Sequence, residues 1–152
     1  MDVKNILAQS DLARGMEDEQ LEKLSRIAKV VEFRKNDVLI KENDSSSDIF
    51  ILYKGWVSVE IQRFPYDTTA QRLRVLKNKG VLGEFSFIDK SRRSANVRAQ
   101  ENVSCVVLPG EELEKLAESD ARAGYIIMKN IARLLSEKIR SSNFELRNQL
   151  IW

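Results

Sequence analysis

The 152-residue chain is 43% hydrophobic and 32% charged, which fits one domain with a normal core and excludes a disordered or membrane-spanning class. It contains no histidine, so the usual general base, imidazole metal ligand and triad member are all missing; catalysis is not expected and no metal site is predicted. Its 25 basic and 23 acidic residues leave a net charge of +2, which gives no bulk attraction to nucleic acid. No apolar run approaches the roughly 18 residues that cross a bilayer. The opening MDVKNILAQSDLARG lacks the apolar stretch of a signal peptide, so no membrane association is predicted. A single cysteine, Cys105, cannot form an internal disulfide, and a reducing, cytoplasmic location is expected.

Residues 2–29 read as helical. Val3, Ile6 and Leu7 space a short helix, and a break comes around Ser10-Asp11 and Gly15. EDEQLEKLSRIAKV then carries Leu21, Leu24, Ile27 and Ala28 on one face, with Glu17, Asp18 and Glu19 in the first turn, where the helix dipole favours anions.

From Val30 to about Leu108 the pattern changes to short alternating runs broken by turn residues, the signature of a sandwich or barrel. The predicted strands are VVEF, DVLI, DIFILY, WVSVEIQRF, AQRLRVL, ANVRA and NVSCVVL. Between them lie Lys35-Asn36-Asp37, 43–47, Lys54-Gly55, Pro65-Tyr66-Asp67 and Asn78-Lys79-Gly80, all of turn chemistry. In WVSVEIQRF, Val57, Val59 and Ile61 share one face and Trp56, Ser58, Glu60 and Gln62 the other, predicting one core side and one mostly wet side. Trp56, Phe33, Phe50, Phe85 and Phe87 are expected in the core or a lid, and Cys105 is read as a small buried hydrophobe.

After Pro109-Gly110 the period is helical again, giving a short acidic helix, GEELEKLAESD, and a long one of 25–30 residues if Gly124 is tolerated. Met128, Ile131, Leu135 and Ile139 form its predicted stripe, widened by Ile127 and Leu134. At 1.5 Å per residue such a helix is on the order of 40 Å long and overshoots a small barrel. Its distal half, with Ile139, Phe144, Leu146, Leu150 and Trp152, then needs another surface, and a second copy of the same helix is the simplest one. The six basic and two acidic residues of 121–152 are of the kind expected toward a helix C-terminus.

The chemistry lies in VLGEFSFIDKSRRSANVRA, residues 81–99. Gly83 permits a close backbone approach or a positive φ, and Glu84 starts a short turn, GEFSFI, whose free amides can point at an anion. Arg93, nine positions on, can meet a phosphate bidentately, and Ser94 adds a hydroxyl donor. Glu84 would repel a phosphate and is read instead as an acceptor for sugar hydroxyls. The pair describes a nucleotide with few charges. On spacing alone, a structural Glu84–Arg93 salt bridge beside a loop fits as well.

This stretch resembles the phosphate-binding cassette of cyclic nucleotide-binding domains, whose pattern of Gly-Glu, a short helical turn and Arg-Ser/Thr/Ala-Ala-x-Val-x-Ala is met by Gly83, Glu84, Arg93, Ser94, Ala95, Val97 and Ala99. Residues 33–61 are similar to the family's first strands, with Gly55 as a turn glycine and Asn36 and Asn43 where glycine is common. About residues 10–145 can be laid on the family. The resemblance implies an antiparallel β-roll over 30–109, a jelly-roll-like barrel flanked by N-terminal helices and by C-terminal helices over 110–150, all in one domain. It implies a cyclic AMP or cyclic GMP ligand, with Glu84 on the ribose 2′-hydroxyl and Arg93 and Ser94 on the cyclic phosphate. The amides of Gly83, Phe85 and Ser86 would complete the cradle, and Arg92 is expected to be a solvated loop charge. Relatives of the catabolite-activator type read the adenine with threonine and serine on the long helix, where this chain has Lys138 and Ile139. Lys138 is therefore the candidate base contact, through an acceptor such as a purine carbonyl, although the simpler expectation is a solvated lysine.

Two functions fit these residues. One is a non-catalytic sensing module that passes nucleotide occupancy through the long helix; the other is an interaction or dimerisation module with a degenerate or differently specific pocket and an unknown protein partner. A DNA-binding regulator is not expected, because no helix-turn-helix comes after the long helix before Trp152. A cupin-like enzyme would need histidine metal ligands.

Overall fold

In the computed structural model of the chain, which describes residues 2–62, 70–77 and 80–151, the helical and alternating segments fall where the hydrophobic periods place them. Asp2 accepts from the Lys4 amide at 3.2 Å to start α1 (Val3–Ala8). Ser10 caps a 3₁₀ turn at Asp11–Ala13, and Glu17 and Gln20 form a reciprocal capping box at the start of α2 (Asp18–Ile27).

The strands are β1 (Lys29–Phe33), β2 (Val38–Ile40), β3 (Ile49–Lys54), β4 (Val57–Gln62), β5 (Ala70–Leu76), β6 (Val81–Leu82), β7 (Asn96–Ala99) and β8 (Val103–Leu108), with α3 (Glu84–Asp89) between β6 and β7. They form two four-stranded antiparallel sheets, ordered β1-β8-β3-β6 and β2-β7-β4-β5. β6, only two residues long, lacks a period that could be read from sequence. Asn36, Asn43 and Gly55 take left-handed φ values of 76°, 67° and 81°, so the turn residues do what their chemistry allows. The expected turn at Pro65-Tyr66-Asp67, the Arg63-Phe64 end of the fourth predicted strand, Asn78, Lys79 and Trp152 lie outside the described residues.

The two sheets enclose an inner core that includes Phe50, Leu52, Val57, Val97, Cys105 and Val107. Ile49, Ile51, Val106 and Leu108 point the other way, into a second core shared with Leu7, Leu12, Leu24, Leu113 and Ile127 of the helical segments. The β1-β8-β3-β6 sheet is thus covered on both faces, which explains why VSCVVL is apolar at nearly every position. Burial pushes the Cys105 thiol up to about 12, so it behaves as a small core residue. The expected wet face of β4 is drier than its polarity suggested. Ser58 is fully buried, donating to Glu60 Oε1 at 2.7 Å and accepting from Gln100 Nε2 at 2.8 Å, while Arg98 pairs with Glu60. Polar side chains bury there because they satisfy one another.

α4 (Gly110–Ser119) and α5 (Ala121–Leu150) complete the chain, and no helix among the described residues is long and apolar enough to cross a membrane. Asp120 starts α5 by accepting from the Ala123 amide at 3.0 Å and is held by Lys23 of α2, whose side chain holds its carboxyl below the usual value. The buried stripe of α5 is shifted from the one predicted, keeping Ile127 and Ile131 and, partly buried, Leu134 and Leu135. It runs through Ala123, Ile127, Asn130 and Ile131, while Met128 and Ile139 are exposed. A buried asparagine hid it: Asn130 Nδ2 donates to the carbonyls of Leu12 at 2.8 Å and Arg14 at 2.9 Å, satisfying two carbonyls and fixing the helix against the 3₁₀ turn. From Ile139 to Ile151 every residue is exposed, including the apolar Phe144, Leu146 and Leu150.

Gly124 lies where α5 crosses α4, and a Cβ there would press on the carbonyl oxygen of Ala117. Alanine would gain roughly 1 kcal/mol of helix propensity, but overpacking against backbone costs about 1–3 kcal/mol. Gly124→Ala is therefore expected to lower the denaturant midpoint at unchanged slope; an equal or higher midpoint would contradict this packing.

Candidate functional site

The site is built where the chain turns from β6 into α3 and returns through 91–95 into β7. Gly83 takes φ +90°, and a Cβ on it would lie 2.7 Å from the Arg93 guanidinium and closer still to the Asp48 carbonyl oxygen, so no other residue fits without displacement. This turn makes Glu84 the first residue of α3, where the helix dipole favours its carboxylate, and directs it inward to 1% exposure. Phe85 is exposed, and Ser86 and Phe87 are buried. The amides of Phe85 and Ser86 belong to the first turn, which has no intrahelical acceptors for them.

Arg93 is 3% exposed. Its Nη1 donates to the Gly83 carbonyl at 3.0 Å, Nη2 to the Asp48 carbonyl at 2.8 Å and Nε to Ser46 Oγ at 3.2 Å. Burial pushes its pKa down from the usual value, opposed by the charges of Asp48, Asp44 and Glu84, and it remains a cation. Of the five N–H groups on a guanidinium, these bonds leave two, one on each terminal nitrogen. The backbones of Asn43, Asp44 and Arg93 also pair at 2.9 Å in both directions, which clamps the 43–48 loop onto the cassette. Ser94 is exposed at its mouth, and Ala95 and Val97 close its floor.

The structure thus brings Gly83, Glu84, Phe85, Ser86, Arg93, Ser94 and Lys138 around one cavity. The Glu84–Arg93 salt bridge that spacing left open is not formed: Glu84 Oε1 pairs with Lys138 Nζ instead. Lys138 is accordingly not a solvated lysine. Eight residues beyond the Asn130 anchor, α5 crosses the cassette, and the ammonium reaches Glu84, the Val81 carbonyl at 3.4 Å and the Phe85 ring, 5.5 Å from its centroid. Burial pulls its pKa below the usual lysine value, Glu84 pulls it back and Arg74 lowers it further. Arg92 is exposed as expected, but its Nη1 donates to the Asn43 carbonyl at 2.8 Å and so ties down the loop. Arg74, Ser46 and Asp48 were not anticipated. The last two act through a hydroxyl and a main-chain carbonyl, and the sequence carries no signal for either role.

Glu84 Oε2 is buried with no partner among the described residues. A carboxylate oxygen left this way asks for a hydroxyl or amide donor. Together with two spare guanidinium N–H groups and the first-turn amides, the cavity offers an acceptor for hydroxyls beside donors for an anion. Its interior is about 50 Å³, while an outer cavity of about 490 Å³ between β5 and α5 is lined by Leu73, Ile139, Ser142, Asn143 and Glu145. Among the described residues no cluster of histidine, cysteine, aspartate and glutamate could hold a metal ion.

Comparison with known proteins identifies the family. The chain is 32% identical over 109 residues to human cGMP-dependent protein kinase 2, a match that covers 71% of this chain and 14% of the kinase. The chain therefore corresponds to a small part of that relative. A cyclic nucleotide-binding domain from Methylobacillus flagellatus superposes with a TM-score of 0.83 at 20% identity, covering 97% of this chain and 82% of that one. The regulatory domain of Toxoplasma gondii PKA, crystallised with cAMP, gives 0.73 at 16% identity over 91% and 49% of the two chains. The family model described as cyclic nucleotide-binding domain matches residues 30–120, from β1 through the cassette to the end of α4, and the chain belongs to that family.

Proposed function

We propose that this chain is a non-catalytic sensing module that binds a cyclic nucleotide, cAMP or cGMP, in the cassette and passes its occupancy to α5. The observation that carries the reading is the orphaned Glu84 Oε2, buried beside the Arg93 guanidinium at the start of α3. In this reading Glu84 accepts from the ribose 2′-hydroxyl. Arg93, Ser94 and the amides of Gly83, Phe85 and Ser86 take the cyclic phosphate. The base lies in the outer cavity against Leu73 and Phe85. The name of the kinase relative supports cGMP and the crystallised PKA domain supports cAMP, so both nucleotides belong in the test. The output passes from α5 to another surface, and the exposed apolar residues of its distal half fit a second copy of that helix in a soluble, cytoplasmic homodimer.

A second reading, an interaction module whose pocket is degenerate, is favoured by one observation: Lys138 already sits on the carboxylate. The two readings separate under ligand. Nucleotide at 100 times its dissociation constant stabilises the folded chain by about 2.7 kcal/mol, a rise on the order of 5–10 °C in melting temperature. Arg93→Leu is expected to start lower, having lost bonds to two carbonyls, and to show no rise; 2′-deoxy analogues should give a reduced rise with the unaltered chain. No rise with either nucleotide at millimolar concentration would leave the interaction module standing. For the dimer, sedimentation should give twice the chain mass, and Leu146→Glu with Leu150→Glu should return the monomer; a monomeric unaltered chain would contradict it.

A further inference from the structure

Lys138 is a cation of the chain itself, seated on the carboxylate that a ligand hydroxyl would use. It shares with Arg74, Phe85 and Ser94 the wall between the 50 Å³ interior and the 490 Å³ outer cavity. Glu84 is 1% exposed and its Oε2 is buried, so a ligand hydroxyl reaches the carboxylate only when that wall moves. Of the four wall residues, only Lys138 is bonded to Glu84 and carried on α5. It is also the last residue of α5 that is not exposed, since every residue from 139 to 151 is open to solvent. Along the helix, then, Asn130 fixes α5 to the 3₁₀ turn, Lys138 fixes it to the cassette, and nothing among the described residues holds the turns beyond Lys138.

We propose that Lys138 is an internal competitor for Glu84 and the last tether of α5, so that a ligand hydroxyl engaging Glu84 displaces the ammonium and releases the helix beyond it. Cassette occupancy and the tethered helix are then mutually exclusive, and the coupling is reciprocal: what loosens the tether tightens the ligand. The competition rests on the nucleotide reading above, whereas the tether does not. If about a tenth of the molecules are untethered at any time, nucleotide binds about tenfold more weakly than it would to an open cassette.

The test uses the full chain with Lys138→Met, with Lys138→Gln as a second variant should the methionine fail to fold, and with Lys138→Arg as the charge-retaining control. Hydrogen exchange without nucleotide reads the tether: amides over 135–142 should exchange about tenfold faster in the methionine and glutamine variants and stay slow in the arginine variant. Equilibrium titration with cGMP and cAMP reads the competition, and the same two variants should bind about tenfold more tightly than the unaltered chain. Unchanged exchange would overturn the tether. Unchanged affinity would overturn the competition, and weaker affinity would overturn it and make Lys138 a ligand contact. If neither the unaltered chain nor the variants bind any cyclic nucleotide, the nucleotide reading falls and the competition with it, while faster exchange would still uphold the tether.

Discussion

A buried guanidinium holds the site together. Arg93 joins three stretches far apart in sequence: the loop before β3 through Ser46 and Asp48, the turn after β6 through Gly83, and its own segment leading into β7. A charge this buried is tolerated only when its N–H groups are satisfied, and main-chain carbonyls satisfy three-segment closure better than any carboxylate could, because they leave the net positive charge intact. That choice fixes its neighbours. Gly83 must be glycine because the guanidinium fills the space of a Cβ, the left-handed turn at Gly83 aims Glu84 inward, and Glu84 is left with one oxygen unpartnered among the described residues. An arginine spent in this way still has two N–H groups to offer, so structure and recognition draw on the same side chain.

The long helix is placed by a different device. Asn130 is polar and buried because two carbonyls of the 3₁₀ segment need its amide, and this contact sets which face of α5 looks at the roll. Two turns later the same face delivers Lys138 to Glu84. Pairing a buried lysine with a buried carboxylate gives little net stability, since the cost of removing both charges from water offsets most of their attraction. Such a pair is better suited to define a position, and a position defined by a marginal interaction is one that a ligand can shift.

The sequence was most legible where period and turn chemistry agreed. The runs DIFILY and ANVRA, the asparagines at 36 and 43, and the apolar spacing of Val3, Ile6 and Leu7 reappear as β3, β7, left-handed turns and α1. The cassette was legible because its parts are local: Gly83, Glu84, Arg93 and Ser94 lie within twelve residues, and the spacing is fixed by one short helix. What could not be read depends on contacts distant in sequence. The partner of Glu84 is 54 residues away, the acceptors of Arg93 are main-chain atoms, and the face of α5 is set by an asparagine that hydropathy counts as surface. Ser58 was misjudged for the same reason, since its burial depends on Glu60 and Gln100 meeting it there.

In the proposed reading, the free oxygen of Glu84 and the spare N–H groups of Arg93 receive the ribose and phosphate of one cyclic nucleotide. Calorimetric titration of the unaltered chain with cGMP, cAMP and their 2′-deoxy forms tests it most directly. Saturable binding of at least one ribonucleotide is expected at one site per chain. Affinity for its 2′-deoxy form should fall by a factor on the order of 10–100, the worth of a hydrogen bond to a charged acceptor. Equal affinity for the ribo and deoxy forms, or no saturable heat with any of the four, would contradict it.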